Sequence, residues 1–151
     1  MASADRPHSN VRILVVDDFD PWRQHICSML QTQPEMQVVG EASDGLEAVH
    51  IAEELKPDLI LLDIGLPSLN GIEAAKRLCQ RVPDMKILFI THNNDPEMAR
   101  AALSNGAQGY VLKTDAGREL LHVITACLGG EKFVSSGIER DEFSNTENTH
   151  L

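Results

Sequence analysis

Residues 59–67 read LILLDIGLP, an apolar run that stops at a single carboxylate, Asp63, and then meets Gly65 and Pro67. Pro57 just upstream argues against a helix. Leu59, Ile60, Leu61 and Leu62 are apolar on both faces, the pattern of a central parallel strand covered on both sides. Asp63 then falls where that strand leaves the sheet. In open parallel α/β sheets the ligand crevice lies outside the carboxyl ends of the strands, so one acid stands where chemistry is expected.

Outward from this stretch the pattern repeats. Upstream, VRILVV (11–16) is a second buried strand that ends in Asp17-Asp18. Asp20-Pro21 is a helix start, the carboxylate capping and the proline in the first turn, with Ile26, Met29 and Leu30 as the apolar stripe. MQVVGEA (36–42) mixes polar residues into its run, as suits an edge strand. Asp44 with Glu47 and Asn70 with Glu73 have capping-box spacing, opening helices that Pro57 and Pro83 end. Downstream, KILFI (86–90) ends in Thr91, Asp95-Pro96-Glu97 opens a helix that reaches Gly106, and GYVL (109–112) runs into Lys113. A last helix is expected from about Asp115 to Leu128, closed by Gly129-Gly130.

Strands alternating with helices in this way predict a three-layer α/β fold: a doubly wound, five-stranded parallel sheet in the order 2-1-3-4-5, with five helices on its two faces. The expected domain organisation is a flexible leader over 1–10, one folded domain over 11–134, and a flexible acidic tail over 135–151. That tail is rich in Ser, Asn, Thr and Glu and has no apolar stripe.

The length of 151 residues suits one domain, and no apolar run approaches the ~20 residues of a membrane helix. The N-terminus lacks the pattern of a secretion signal, so a cytoplasmic protein without a membrane partner is expected. Residues 11–134 hold 11 Lys+Arg against 18 Asp+Glu, and the net charge is −10. Direct nucleic-acid binding is not expected, because phosphate neutralisation needs clustered Lys and Arg. Cys27, Cys79 and Cys127 have neither metal nor disulfide spacing and read as buried free thiols. His25, His50 and His122 read as helix-surface residues, and Phe19 and Trp22 as helix packing or part of a docking surface beside the acidic pair.

Four of the five strands finish in a polar group of chemical interest: Asp17-Asp18, Asp63, Thr91 and Lys113. In the order 2-1-3-4-5 these converge at the switch point of the sheet. Three carboxylates packed together repel one another unless a cation neutralises them. An all-oxygen set with room for water and a phosphate favours Mg²⁺ over Zn²⁺. Thr91 can donate a hydrogen bond to a phosphoryl oxygen and Lys113 can supply positive charge, so the set is equipped to hold a phosphoryl group on Asp63.

The motifs VVDD (15–18), LLDIGLPSLNGIEA (61–74), FIT (89–91) and YVLK (110–113) together resemble the receiver domain of bacterial two-component response regulators, the CheY-like fold. The stretch around Asp63 and GAQGYVLK (106–113) is most similar to the NarL/FixJ subfamily. The resemblance implies that Asp63 is the phosphoacceptor, with Mg²⁺ held by Asp18, Asp63 and the Gly65 carbonyl and supported by Asp17 through water. It implies that Thr91 and Lys113 contact the phosphoryl group, that Thr91 and Tyr110 form the switch, and that a sensor histidine kinase or phosphotransfer protein is the donor. A downstream protein partner, or a homodimer through the last two helices and the last strand, would read the modified surface.

Two departures from the family pattern stand out. The final seventeen residues are too few for the DNA-binding helix-turn-helix usual in that subfamily, so a stand-alone receiver is expected in preference to a cut chain. The residue after the Thr is generally small, whereas here it is His92, which with Asn93 is expected to gate access to the phosphoryl group. Two rival functions are kept open. One is a haloacid-dehalogenase-like phosphohydrolase, whose D-x-D motif Asp18-Phe19-Asp20 imitates but for the Pro21-Trp22 that follows. The other is a receiver-like scaffold that works unphosphorylated. On the main reading the chain is a phosphoacceptor and not an enzyme.

Overall fold

The structure, a computed structural model, describes residues 11–138. Strand β1 (Val11–Val16) leads to helix α1 (Asp20–Gln31), β2 (Met36–Ala42) to α2 (Gly45–Leu55), and β3 (Leu59–Leu62) to α3 (Gly71–Arg81). Then β4 (Lys86–Thr91) leads to α4 (Pro96–Ser104) and β5 (Gly109–Leu112) to α5 (Lys113–Leu128). A short strand β6 (Phe133–Val134) and a single helical turn, α6 (Ser136–Ile138), follow.

The sheet has the order β2-β1-β3-β4-β5-β6, parallel at every pairing. The predicted order 2-1-3-4-5 stands, with one strand added outside β5. The central strand is buried throughout, none of its four residues exceeding 1 % exposure. Its side chains alternate between two cores. Ile60 and Leu62 meet the alanine-rich faces of α2, α3 and α4, while Leu59 and Leu61 meet Ile26 and Leu30 of α1 and Leu120, Val123 and Ile124 of α5. Each such side chain stabilises the fold by about 1.5–3 kcal/mol through burial, which holds the two helix layers to the sheet and keeps its carboxyl edge rigid.

Local signals explain most element ends. Asp44 Oδ1 accepts the Glu47 N–H at 2.8 Å, and Asn70 Oδ1 accepts the Glu73 N–H at 3.0 Å. In the first box the returning Glu47 carboxylate accepts from Ser43 N–H, one residue before the cap. Helix α2 ends at Leu55, with Lys56 left-handed (φ 47°) before Pro57. Gly106, at φ 102°, follows α4 as expected.

Several expectations are corrected. Asp20 is the first residue of α1 and not its cap, because the cap position is Phe19, and the Asp20 carboxylate pairs with Arg23 at 2.6 Å. Helix α5 begins at Lys113, two residues earlier than expected. Cys27 and Cys127 are buried, but Cys79 is exposed, since α3 turns Ala75 and Leu78 inward instead. The tail expected from Ser135 is folded over its first four residues: Ser135 and Ile138 are buried, and Ile138 joins the core that contains Leu112. The leader 1–10 and residues 139–151 of the expected tail lie outside the described residues. Because β6 pairs with β5, the strand expected to form part of a dimer face is not the sheet edge.

Candidate functional site

The carboxyl ends of β1, β3, β4 and β5 meet at the switch point, where β1 and β3 are neighbours although their connections leave to opposite faces. Asp17 follows β1 and is buried. Asp18 is exposed and Asp63, after β3, is partly exposed. One carboxylate oxygen from each of the three lies within 4.8 Å of the others. Lys113 Nζ reaches into this cluster, 2.6 Å from Asp17 Oδ2 and 3.2 Å from Asp63 Oδ2, with its side chain 5 % exposed. Trp22, from α1, places its ring 5.4 Å from the same ammonium, a cation–π distance. Trp22, partly buried, thus packs beside the site against the core that holds Leu59 and Leu61.

The acidic pair is anchored from several sides. Asp17 Oδ1 accepts the Phe19 N–H at 2.9 Å, which turns the chain into α1. Arg23, one turn into that helix, donates to the Asp17 carbonyl at 2.7 Å, to Glu41 of β2 at 2.9 Å, and pairs with Asp20. Asp20 is therefore turned to Arg23, away from the role of a second acid in a D-x-D motif. Burial pushes the Asp17 carboxyl up from its ordinary value, with the Asp63 charge adding to the rise; the bonds from Lys113 and Phe19 N–H oppose it.

The loop after Asp63 is held by close backbone approach. Asp63 Oδ1 accepts the N–H of Ile64, and Gly71 N–H donates to the Ile64 carbonyl at 2.7 Å. A Cβ at Gly71 would stand 2.1 Å from the Asp63 carbonyl oxygen, and one at Gly45 1.8 Å from the Leu69 carbonyl oxygen. Only glycine fits at either place, and neither requirement was visible in the sequence, where both read merely as residues after a cap. Ser68, left-handed at φ 68°, completes the loop.

A crevice of about 520 Å³ opens beside Asp63, lined by Ile64, Gly65, Thr91, His92, Asn93 and Asn94. A Cβ at Gly65 would meet nothing within 4 Å, so that side of the carboxylate is open. Thr91 is buried and its hydroxyl accepts the Asn93 N–H at 3.2 Å. His92 and Asn93 are exposed on the crevice wall. Tyr110 is fully buried against Phe89, and its hydroxyl donates to the Asn93 carbonyl at 2.6 Å. The switch residues of the sequence reading, Thr91 and Tyr110, are thus joined through Asn93, with the tyrosine already turned inward.

Asp17, Asp18, Asp63, Gly65, Thr91 and Lys113 therefore share one end of the sheet. His25, His50 and His122 are exposed on helices, as read from the sequence. Trp22 and Arg23 belong to the site's surroundings; the sequence offered Trp22 only as packing or docking, and Arg23 carried no signal there.

A parallel sheet of this order with acids, a threonine and a lysine at its switch point defines a doubly wound α/β domain with an acidic site at its carboxyl edge. Residues 13–125 match the family described as response regulator receiver domain. The chain belongs to that family. It is 38 % identical over 128 residues to the transcriptional regulatory protein LiaR of Bacillus subtilis (strain 168), covering 85 % of this chain and 61 % of LiaR. The chain thus spans less than two thirds of that relative's length. Its fold superimposes on a two-component response regulator of the LuxR family from Aurantimonas sp. SI85-9A1 with a TM-score of 0.87 and 33 % identity, covering 91 % of this chain and 99 % of that one. The isolated receiver domain of RcsB from Salmonella enterica serovar Typhimurium, in the presence of the phosphomimetic BeF3-, gives a TM-score of 0.81 at 26 % identity over 87 % of this chain and 98 % of that one. The domain is a response regulator receiver of two-component signalling, and these likenesses lend nothing to the phosphohydrolase alternative. Among the described residues no helix is long and apolar enough to cross a membrane.

Proposed function

We propose that this receiver accepts a phosphoryl group on Asp63 from the phosphohistidine of a sensor kinase or phosphotransfer protein and presents the altered surface to a protein partner. The observation that carries the reading is the position of Lys113, which contacts both Asp17 and Asp63 while Asp63 alone faces the open crevice. In the transfer, an Asp63 oxygen attacks phosphorus as the bond to the donor nitrogen breaks and the electron pair leaves with the imidazole. Lys113 and Thr91 then hold the phosphoryl oxygens.

The donor set of Asp17, Asp18 and Asp63 fits a hard divalent cation. Its oxygens converge within 4.8 Å, and burial already presses Asp17 towards the protonated form, a strain that a cation relieves. Asp18, Asp63 and the Gly65 carbonyl would hold Mg²⁺, with Asp17 supporting it through water. The ion supplies charge neutralisation for the acyl phosphate, which adds about −1.5 to −2 of charge.

The chain acts as a phosphoacceptor that assists only its own modification and its loss. Direct contact of residues 11–138 with nucleic acid is disfavoured by the excess of acidic residues. The three unpaired cysteines suit the reducing cytoplasm, which is where we place the protein. The test is mass spectrometry after incubation with acetyl phosphate and Mg²⁺, in which acetate leaves in place of imidazole. One added phosphoryl group is expected, and none on Asp63→Asn. Equal modification of that variant would overturn the assignment, and equal partner binding by both proteins would favour the unphosphorylated scaffold.

A further inference from the structure

Lys113 owes its place to the junction between β5 and α5, and that junction is fastened by a residue of the chain that follows α5. Leu112 is both the last residue of β5 and the cap position of α5, where it has no side-chain cap of its own. Its N–H points to the edge of the sheet beyond the two-residue strand β6. No backbone carbonyl of β6 meets it. Instead Ser135 Oγ accepts it at 2.9 Å, and the same hydroxyl donates to Glu119 Oε1 of α5 at 3.1 Å. Ser135 is 0 % exposed, and its own N–H donates to the Tyr110 carbonyl at 2.9 Å.

A single buried serine therefore ties together Tyr110 and Leu112 of β5 and Glu119 of α5, on either side of the lysine that enters the acidic site. A buried N–H without a partner is costly, so the Leu112 amide favours the docked position of Ser135. The residues around the serine share that position. Val134 pairs with Tyr110, and Ile138, 2 % exposed, packs in the core that holds Leu112. Gly137 lies close enough that a Cβ there would stand 3.4 Å from Leu112 Cδ1.

We infer that Ser135 is a positioning residue for Lys113, and that docking of residues 133–138 and occupancy of the phosphoryl site are energetically coupled. This rests on the reading of Asp63 as phosphoacceptor. Coupling between two sites is reciprocal: if the docked segment places Lys113 to receive a phosphoryl group, then filling the site holds the segment down by the same factor. Residues 133–138 are thus linked to the state of Asp63 through the Ser135 hydroxyl and the backbone bond from Ser135 to Tyr110.

The experiment uses the full chain with beryllofluoride and Mg²⁺ as the phosphoryl mimic. Fluorine NMR reads its binding, and hydrogen exchange of the wild type is recorded with and without it. Exchange at Leu112 and over 133–138 is expected to slow at least fivefold on binding. Ser135→Ala is expected to speed exchange there and to weaken beryllofluoride binding at least threefold. A merely structural serine would lower the unfolding midpoint of the variant and leave that affinity alone. Binding by the wild type with unchanged exchange at 112 and 133–138 overturns the coupling whatever the variant does, and so does wild-type affinity in a folded Ser135→Ala. Absence of any binding by the wild type overturns the phosphoacceptor reading, and this inference with it.

Discussion

Lys113 Nζ lies nearer to Asp17, at 2.6 Å, than to Asp63, at 3.2 Å. The lysine is thus shared between the acid proposed to support the metal and the acid proposed to be modified, and it neutralises one charge among three. A divalent cation that enters this cluster binds the folded chain alone, so it raises stability by mass action. At a Mg²⁺ concentration about 100 times its Kd the gain is about 2.7 kcal/mol, roughly 10 °C in unfolding midpoint for a domain of this size. Thermal unfolding in Mg²⁺ and in chelator measures it, and Asp18→Ala should remove most of the difference.

The pH dependence follows from Asp17. Its carboxyl titrates above the ordinary carboxylate value because burial penalises the charge. A folded-state value above the unfolded one means the fold binds that proton more tightly, so the stability lost on ionising Asp17 grows as pH rises from the unfolded value through the folded one, is full above that, and is absent below the unfolded value. Asp17→Asn is therefore expected to raise the midpoint in chelator at neutral pH, since the amide oxygen can still accept from Lys113. The same variant should respond less to Mg²⁺. Midpoints in chelator across pH 4–8 are the check: the wild-type deficit relative to the variant should shrink towards the acid end.

Much of this was legible in the sequence, for identifiable reasons. Residues 59–62 are apolar on both faces because both helix layers cover them, and the strand-end groups Asp17, Asp63, Thr91 and Lys113 are visible as polar punctuation after apolar runs. Strand β6 was not, because Phe133-Val134 is too short to show periodicity and stands between Gly-Gly-Glu-Lys and a serine-rich segment. Its stability comes from pairing with Gly109 and Tyr110, which is tertiary. The anchoring by Arg23 and the close approach at Gly71 were equally hidden, since both depend on which backbone carbonyl lies opposite.

Gly71 provides a strict test of how the loop holds Asp63. A methyl group there would overlap the Asp63 carbonyl, a backbone atom that cannot swing aside. Gly71→Ala should cost at least ~2 kcal/mol in denaturant unfolding, since overpacking against backbone is not relieved by a rotamer change. It should also slow phosphorylation by acetyl phosphate. Gly117→Ala, where a Cβ meets nothing within 4 Å, is the control and should be neutral or slightly stabilising in its helix.

Tyr110 is already inward, so any switching begins from a ring whose hydroxyl is bonded to the Asn93 carbonyl. Removing that hydroxyl leaves an exposed carbonyl that water can satisfy, and Tyr110→Phe should cost only about 0.5–1.5 kcal/mol. The informative measurement is spectroscopic. If the Asn93 link carries the signal from Thr91, beryllofluoride should shift resonances of residues 110 and 93 in the wild type, and the shift at 93 should be largely lost in Tyr110→Phe. Shifts confined to the neighbours of Asp63 in the wild type would refute this route.

His92 stands exposed on the crevice wall immediately after Thr91, and Gly65, which lines the same crevice, adds no side chain beside the carboxylate. Phosphoryl transfer depends chiefly on positioning, since a donor or a hydrolytic water must approach in line. With one side free, the imidazole and neighbouring Asn93 are the groups that can narrow the path. If His92 obstructs it, His92→Ala should speed both phosphorylation by acetyl phosphate and loss of the acyl phosphate, by roughly threefold or more, an activation difference of about 0.7 kcal/mol. If the imidazole instead orients the water, the variant should slow hydrolysis and leave phosphorylation by the small donor nearly unchanged. The two rates, measured separately, decide between these, and a change of less than twofold in both would mean that access is not set at residue 92.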